Sequence, residues 1–284
     1  MIPYDKTVCR LGEGPLWHPT RAQLYWFDIL SCTLNTVESG QHRRWTFDEN
    51  VSAAGWVDDN HLLIASETRL FRFNLETGTS EDVLPLEADK KETRSNDGRA
   101  DPYGGFWIGT MPKSGDKPIG AFYRYYKGQI STLFEGLSIP NACCFTPDGT
   151  EAVFCDSAKN QVMRVALDQE GWPVSEPFVW MDLSGEGFGV DGAVMDADGN
   201  FWNAQWGAAR IACYSPDGTL LHTVPVAGKQ SSCPAFGGKD LSTLFCTTAA
   251  EGLGEAELQA SESNGMTFIQ ENAGIGQAEH RVLL

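Results

Sequence analysis

The sequence predicts an all-β fold, a six-bladed β-propeller with a polar site in its central channel. Three observations predict it. A ten-residue, turn-centred segment recurs six times, at intervals of 39, 44, 45, 50 and 41 residues. A second hairpin signal follows most copies, and 30 glycines and 14 prolines suit the many short turns this requires. No long stretch carries the 3.6-residue apolar period of a helix.

The six segments, in order, run from Trp17 to Trp26, Trp56 to Ala65, Ala100 to Gly109, Phe145 to Phe154, Met195 to Ala204 and Phe236 to Phe245. Each opens on an apolar residue, passes through a polar turn and closes on an apolar run, the pattern of two strands joined by a tight turn. The second hairpins read from Leu34 to Trp45, Leu70 to Val83 and Phe122 to Leu133, with looser fits from Val162 to Val179 and Ile211 to Val224. Two hairpins make a four-stranded meander, and units of ~40–50 residues built this way are propeller blades. In the sixth unit Met266 to Ile269 reads as a third strand. Lys6 to Leu11, at the N-terminus, is expected to supply the fourth, closing the ring and removing its edges. A linear array of sheets with two open ends is the structural alternative. Lys90 to Thr93 reads as an exposed loop. The whole chain, 1–284, is expected to be one domain.

Composition narrows the partners. With 21 basic and 38 acidic residues the net charge is −17, which argues against nucleic acid and anionic membrane surfaces. No apolar run approaches the ~20 residues needed to span a bilayer. The opening MIPYDKTVCRLGEG lacks the apolar core of a secretory signal, so a cytoplasmic location is expected. The eight cysteines form no CxxC pair. Adjacent Cys143 and Cys144 would face opposite sides of a strand. Buried thiols are therefore expected, in preference to zinc clips or a disulfide framework.

The repeat register names one position per unit. Four residues before each segment start stand Glu13, Ser52, Asn96, Asn141, Asp191 and Ser232. Equivalent positions on innermost strands ring the channel of a propeller. Two carboxylates and two amides brought together there point to a hard cation or a sugar hydroxyl, because buried charge is costly unless paired or metal-bound. Water at the channel mouth is the alternative partner for these groups. Neither Ser52 nor Ser232 lies in a G-x-S-x-G elbow. All five histidines fall at turn or edge positions, so the serines are expected to bond water or substrate and not to act as nucleophiles.

Four stretches make the chain resemble the SMP-30/gluconolactonase family, which includes regucalcin and the bacterial sugar lactonases. They are LGEGPLWH from Leu11, RSNDGRADPYGGFWIGTM from Arg94, IPNACCFTPDG from Ile139 and VDGAVMDADGNFWNAQW from Val190. The resemblance covers nearly the whole chain and implies the same six-bladed propeller. It implies one divalent cation (calcium, zinc, manganese, magnesium or iron(II)) held by Glu13, Asn141 and Asp191. It gives Asp191 the further role of general base, and gives Arg94 and Asn96 contacts to substrate. Some members reach the substrate with a lid glutamate after the Gly-Thr-Met run. Here Gly109 to Gly115 reads GTMPKSG, without one.

The chemistry implied is metal-dependent hydrolysis of a sugar lactone, an aldonolactone, to its sugar acid. The cation polarises the carbonyl and Asp191 assists the attacking water. Ligation lowers a carboxylate's proton affinity, so a hydroxide on the metal is the other candidate nucleophile. Arg94 would hold hydroxyls or a carboxylate; its alternative is a surface ion pair with Glu92. From another functional class, a calcium-binding regulatory propeller without enzymatic work would use the same ring. A WD-repeat scaffold would need Gly-His and Trp-Asp punctuation that is missing. Related propellers also admit phosphoester or aromatic-lactone hydrolysis.

Overall fold

The computed structural model describes residues 1–284 and is an all-β, propeller-like fold. Four separate four-stranded antiparallel meanders occupy residues 12–46, 51–85, 93–137 and 140–182. Eight further strands form one sheet of two meandering halves. One half runs through residues 189–225; the other comprises 230–270 and the N-terminal strand Ile2–Asp5. A single pair, Trp206 with Gln230, joins the halves. The first strands of all these meanders touch in cyclic order, from Gly12–His18 through Val51–Asp58, Thr93–Ala100, Pro140–Phe145, Gly189–Met195 and Gln230–Gly237 back to Gly12–His18.

Sequence sets this layering. First strands are buried on both faces, as in Pro140–Phe145 and Gln230–Gly237, so they read as small or apolar runs. Outermost strands such as Gln41–Thr46 are partly solvated and polar. Near the axis the strands crowd together. A Cβ on Gly192 would stand 2.3 Å from the sulfur of Cys233, which leaves glycine as the residue that fits. Between the sheets lie apolar layers; one packs Leu16, Tyr25 and Phe27 against Ile64, Phe71 and Phe73, each worth ~1.5–3 kcal/mol on burial. Cys143 and Cys144 enter different layers, as opposite faces of one strand require. All eight cysteines are free and all but Cys32 are buried.

Three expectations are corrected. The last strand is Ile2–Asp5, paired with Thr267–Gln270, and not Lys6 to Leu11. The Asp5 carboxylate accepts the Thr7 N–H at 2.8 Å and turns the chain out of the strand; Asp28 then takes the N–H groups of Arg10 and Leu11. Thr93 is not in the exposed loop but begins a first strand and is buried. His18 is not at an edge: it is fully buried against Tyr25 and Trp56 and bonds the Asp58 carbonyl. One short α-helix, Glu255–Ala260, and one 3-10 turn, Ile29–Ser31, interrupt the strands.

Every first strand carries an extra residue against its partner near its start, and Val51–Asp58 carries a second between Trp56 and Asp58. Glu13 pairs Phe27 and Leu16 pairs Tyr25, three steps against two. The same surplus falls between Val51 and Ala53, Ser95 and Gly98, Asn141 and Cys144, Val190 and Ala193, and Ser231 and Cys233. These six bulges coincide with the six ring positions, and a bulge re-aims side chains that a regular strand would alternate.

Candidate active site

A cavity of about 580 Å³ opens at one end of the ring of first strands. Glu13, Arg94, Asn96, Asn141 and Asp191 all line it, joined by Ser157. All five are buried, at 3–7% exposure. Backbone geometry presents two of them. Gly14 and Ala142 have φ of +51° and +59°, turning the chain sharply just after Glu13 and Asn141. A Cβ on Gly14 would lie 2.3 Å from the Ser52 carbonyl.

A directed chain of hydrogen bonds crosses the site. Arg94 Nη1 donates to Asn96 Oδ1 at 2.9 Å. Asn96 Nδ2 donates to Asn141 Oδ1 at 2.9 Å and to the Pro140 carbonyl at 3.0 Å. Asn141 Nδ2 donates to Ser157 Oγ at 2.9 Å, and Ser157 donates in turn to the carbonyl of Val190, the residue before Asp191. Arg94 makes no ion pair with Glu92; it bonds the Ser95 carbonyl and Asn96 inside the cavity.

The electrostatics are those of crowded, undercompensated acids. Burial, reinforced by the charge of Asp97, pushes the Glu13 carboxyl up to about 8 against the opposing Gly14 amide and Arg94. Burial and then Glu13 hold Asp191 well above the usual carboxylate range. Burial also lowers the Arg94 guanidinium to about 10, despite the nearby carboxylates. One arginine thus faces several buried acids, an arrangement a bound cation would relieve. No three His, Cys, Asp or Glu side chains are gathered so as to hold a metal by themselves. Glu13, Asp191 and the amide of Asn141 border the same cavity, and together their oxygens would offer an oxygen-only donor set, the chemistry a hard cation takes.

Ser52 and Ser232 do not reach the cavity, contrary to their expected role toward water or substrate. Ser52 donates to Ser95 Oγ at 2.8 Å, and Ser232 bonds the Gly12 carbonyl and Thr247. Their bulges hold a single surplus residue directed between strands. No histidine lines the cavity.

Two participants escape the register argument. Asp97 follows Asn96, so strict alternation would turn it away. It does not line the cavity and accepts the Cys143 N–H at 2.8 Å, but its charge still bears on Glu13 and Asp191. Ser157 follows the second strand of its sheet, beyond the repeated segment. Its signal is Asp156, which occupies the same register as Asp28; each caps two successive N–H groups of the entering chain. At the rim stand Lys113 and Glu251. Lys113, within the stretch that lacks a lid glutamate, is paired with Glu67 at 2.9 Å.

Comparison with known proteins bears on this geometry. Residues 11–250 match the family model described as SMP-30/Gluconolactonase/LRE-like region. Pentonolactonase XacC of Haloferax volcanii is 34% identical over 285 residues, covering 97% of this chain and 95% of that one. L-arabinolactonase of Azospirillum brasilense is 31% identical over 281 residues, covering 95% and 91%. The crystal structure of regucalcin, a calcium-binding protein from Agrobacterium tumefaciens, superposes with a TM-score of 0.97 at 38% identity, covering 99% of this chain and 97% of that one.

Proposed function

The chain belongs to the SMP-30/gluconolactonase/LRE-like family, and from that premise we propose that it is a lactonase hydrolysing a sugar lactone, an aldonolactone, to the corresponding sugar acid. The observation that carries this is the convergence of Glu13, Arg94, Asn96, Asn141 and Asp191 on one cavity. Lactonases among its relatives support the reading. We read the architecture as one domain of six blades, the eight-stranded sheet being two blades joined by the Trp206–Gln230 pair. No helix is long and apolar enough to cross a membrane.

In this reading Glu13, Asn141 and Asp191 hold one divalent cation. The calcium-binding regucalcin at 38% identity is consistent with that. When bound, the cation supplies Lewis acidity toward the lactone carbonyl. Asp191 orients the attacking water and accepts its proton. The water oxygen bonds to the carbonyl carbon, the ring C–O bond breaks, and the ring oxygen leaves as a hydroxyl after taking a proton. Arg94 donates to substrate hydroxyls and to the nascent carboxylate; Asn96, its two N–H groups held by Asn141 and Pro140, offers the second lone pair of Oδ1 beside it. The rim, with Lys113 and Glu251, is where the far end of the sugar would meet charge of both signs.

A panel of aldonolactones followed with a pH indicator, before and after chelation and with each divalent ion restored, tests the proposal. Acid release that requires a cation is the expected result. Cation binding without turnover of any lactone would replace it with the calcium-holding, non-enzymatic alternative.

A further inference from the structure

An asparagine serves a cation only through its oxygen, so whatever decides which end of the Asn141 amide faces the cavity decides whether the site can work. We propose that Ser157 is a positioning residue that turns the Asn141 amide oxygen toward the cation; this rests on the cation reading above. The directionality of the hydrogen-bond chain carries the argument. The Val190 carbonyl can only accept, so the Ser157 hydroxyl spends its one proton there. What Ser157 Oγ offers Asn141 is therefore a lone pair, and only Nδ2 can answer it, at 2.9 Å. From the opposite side the Arg94 guanidinium can only donate, and it takes Asn96 Oδ1. Asn96 must then present Nδ2, which Asn141 meets with Oδ1 at 2.9 Å. A donor-only group at one end and an acceptor-only group at the other fix both amides between them.

Turned over, Asn141 would set Nδ2 against Nδ2 of Asn96 and place a donor where the cation needs an acceptor. Arg94 and Asn96 also face substrate, so Ser157 is the member of the chain whose assigned work is orientation alone. Its own place does not depend on its hydroxyl. The Ser157 N–H donates to the Ile139 carbonyl at 2.9 Å. The Asp156 carboxylate holds the N–H groups of Ser138 and Ile139 on one side and of Ala158 on the other. Removing the hydroxyl should withdraw one of the two groups that orient the amide while leaving the turn standing.

The test is calorimetric titration of calcium and of manganese into wild type, Ser157→Ala, Ser157→Thr, Asn141→Asp and the Ser157→Ala/Asn141→Asp double variant. Ser157→Ala is expected to weaken binding by ~10–100-fold, the usual effect of losing a group that orients a ligand. Ser157→Thr, which keeps the hydroxyl, should stay within a few-fold of wild type. In the Asn141→Asp background, removing Ser157 should cost less than about threefold, because a carboxylate has no wrong end to present. An equal loss in both backgrounds would assign Ser157 a general packing role and overturn the proposal, as would unchanged affinity in Ser157→Ala. Ser157→Cys, with a weaker donor and similar shape, carries the same comparison should the alanine variant fail to fold. A wild type that takes up neither ion and turns over lactone undiminished after chelation of all divalent metal overturns the cation reading itself and the role of Ser157 with it. That outcome is separate from every result in which the wild type binds.

Discussion

Arg94 and Arg99 lie five positions apart on the same first strand, Thr93–Ala100, and serve opposite ends of the channel. Arg94 borders the open cavity of about 580 Å³, has no ion-pair partner, and is lowered to about 10 by burial. Arg99 borders a void of about 30 Å³ closed by the C-terminal segment. Burial alone would lower Arg99 too, but its ion pair with Glu279 more than reverses that. The segment also bonds strand ends around the ring. Gln277 donates to the Phe145 and Met195 carbonyls, Trp56 donates to the Glu279 carbonyl, and Val282 N–H donates to the Trp56 carbonyl. One end of the channel satisfies its charge internally and is sealed. The other leaves buried charge to be satisfied by something that enters. Unpaired buried charge is expensive, and its confinement to one end is the physical mark of the site.

The largest expected effect is at the open end. Asp191→Asn keeps an oxygen for the cation but cannot take a proton. At saturating cation its kcat should fall by ~10²–10⁴, the range for a lost general base. Near-wild-type turnover there would remove the base role from Asp191 and leave it a ligand alone.

Exchanging the treatment of the two arginines sharpens the contrast. Arg94→Ala should lower kcat/KM by ~10–100-fold, the equivalent of a charged hydrogen bond or two, with a nearly unchanged melting temperature. Arg99→Ala should do the reverse. It leaves the Glu279 carboxylate buried and alone, a loss of ~3–5 kcal/mol in denaturant unfolding, with cation affinity intact. Adding Glu279→Gln should return much of that stability. If Arg94→Ala proves as destabilising as Arg99→Ala, the division between the two ends is wrong.

A smaller effect is expected from the seal itself. Val282→Ala cuts back a fully buried side chain that packs beside Gly55 and Phe106. The loss should be near the ~1.5–3 kcal/mol of a buried aliphatic side chain, read by thermal melting, with lactone turnover retained at 25 °C.

How much of this was legible in the sequence follows from what repeats. The six hairpins and the ring positions repeat, so register alone placed Glu13, Asn96, Asn141 and Asp191 on first strands that line one cavity. Features occurring once were harder to read. The closing strand was expected at Lys6 to Leu11 and stands at Ile2–Asp5, because a single aspartate-capped turn at Asp5 decides where it ends. Asp97 escapes the register because it lies beside a ring position, off the cavity lining, and bears on Glu13 and Asp191 through charge alone. Ser157 was hidden because it lies past the repeated segment and acts through hydrogen-bond direction. The seal is built from the last residues, where no periodicity reaches.

The smallest expected effects sharpen the contrast within the ring. Ser52 and Ser232 share the register of the four cavity residues but turn into the seams between first strands. Ser52→Ala takes one donor from Ser95 Oγ, which keeps its own bond to the Ala65 carbonyl at 3.4 Å. Ser232→Ala strips one donor from the Gly12 carbonyl, while Thr247 keeps its bond to the Cys233 carbonyl at 3.2 Å. Ser52→Ala removes one neutral hydrogen bond and Ser232→Ala two, so the cost should be ~0.5–1.5 kcal/mol for each bond lost. Because neither hydroxyl lines the cavity, cation affinity and kcat/KM should match wild type in both variants. Ser232→Ala is the more searching of the two, since Gly12 adjoins Glu13. A fall in cation affinity there, at unchanged stability, would show that the seam helps to place the Glu13 carboxylate, and the division between cavity residues and seam residues would have to be redrawn at that strand.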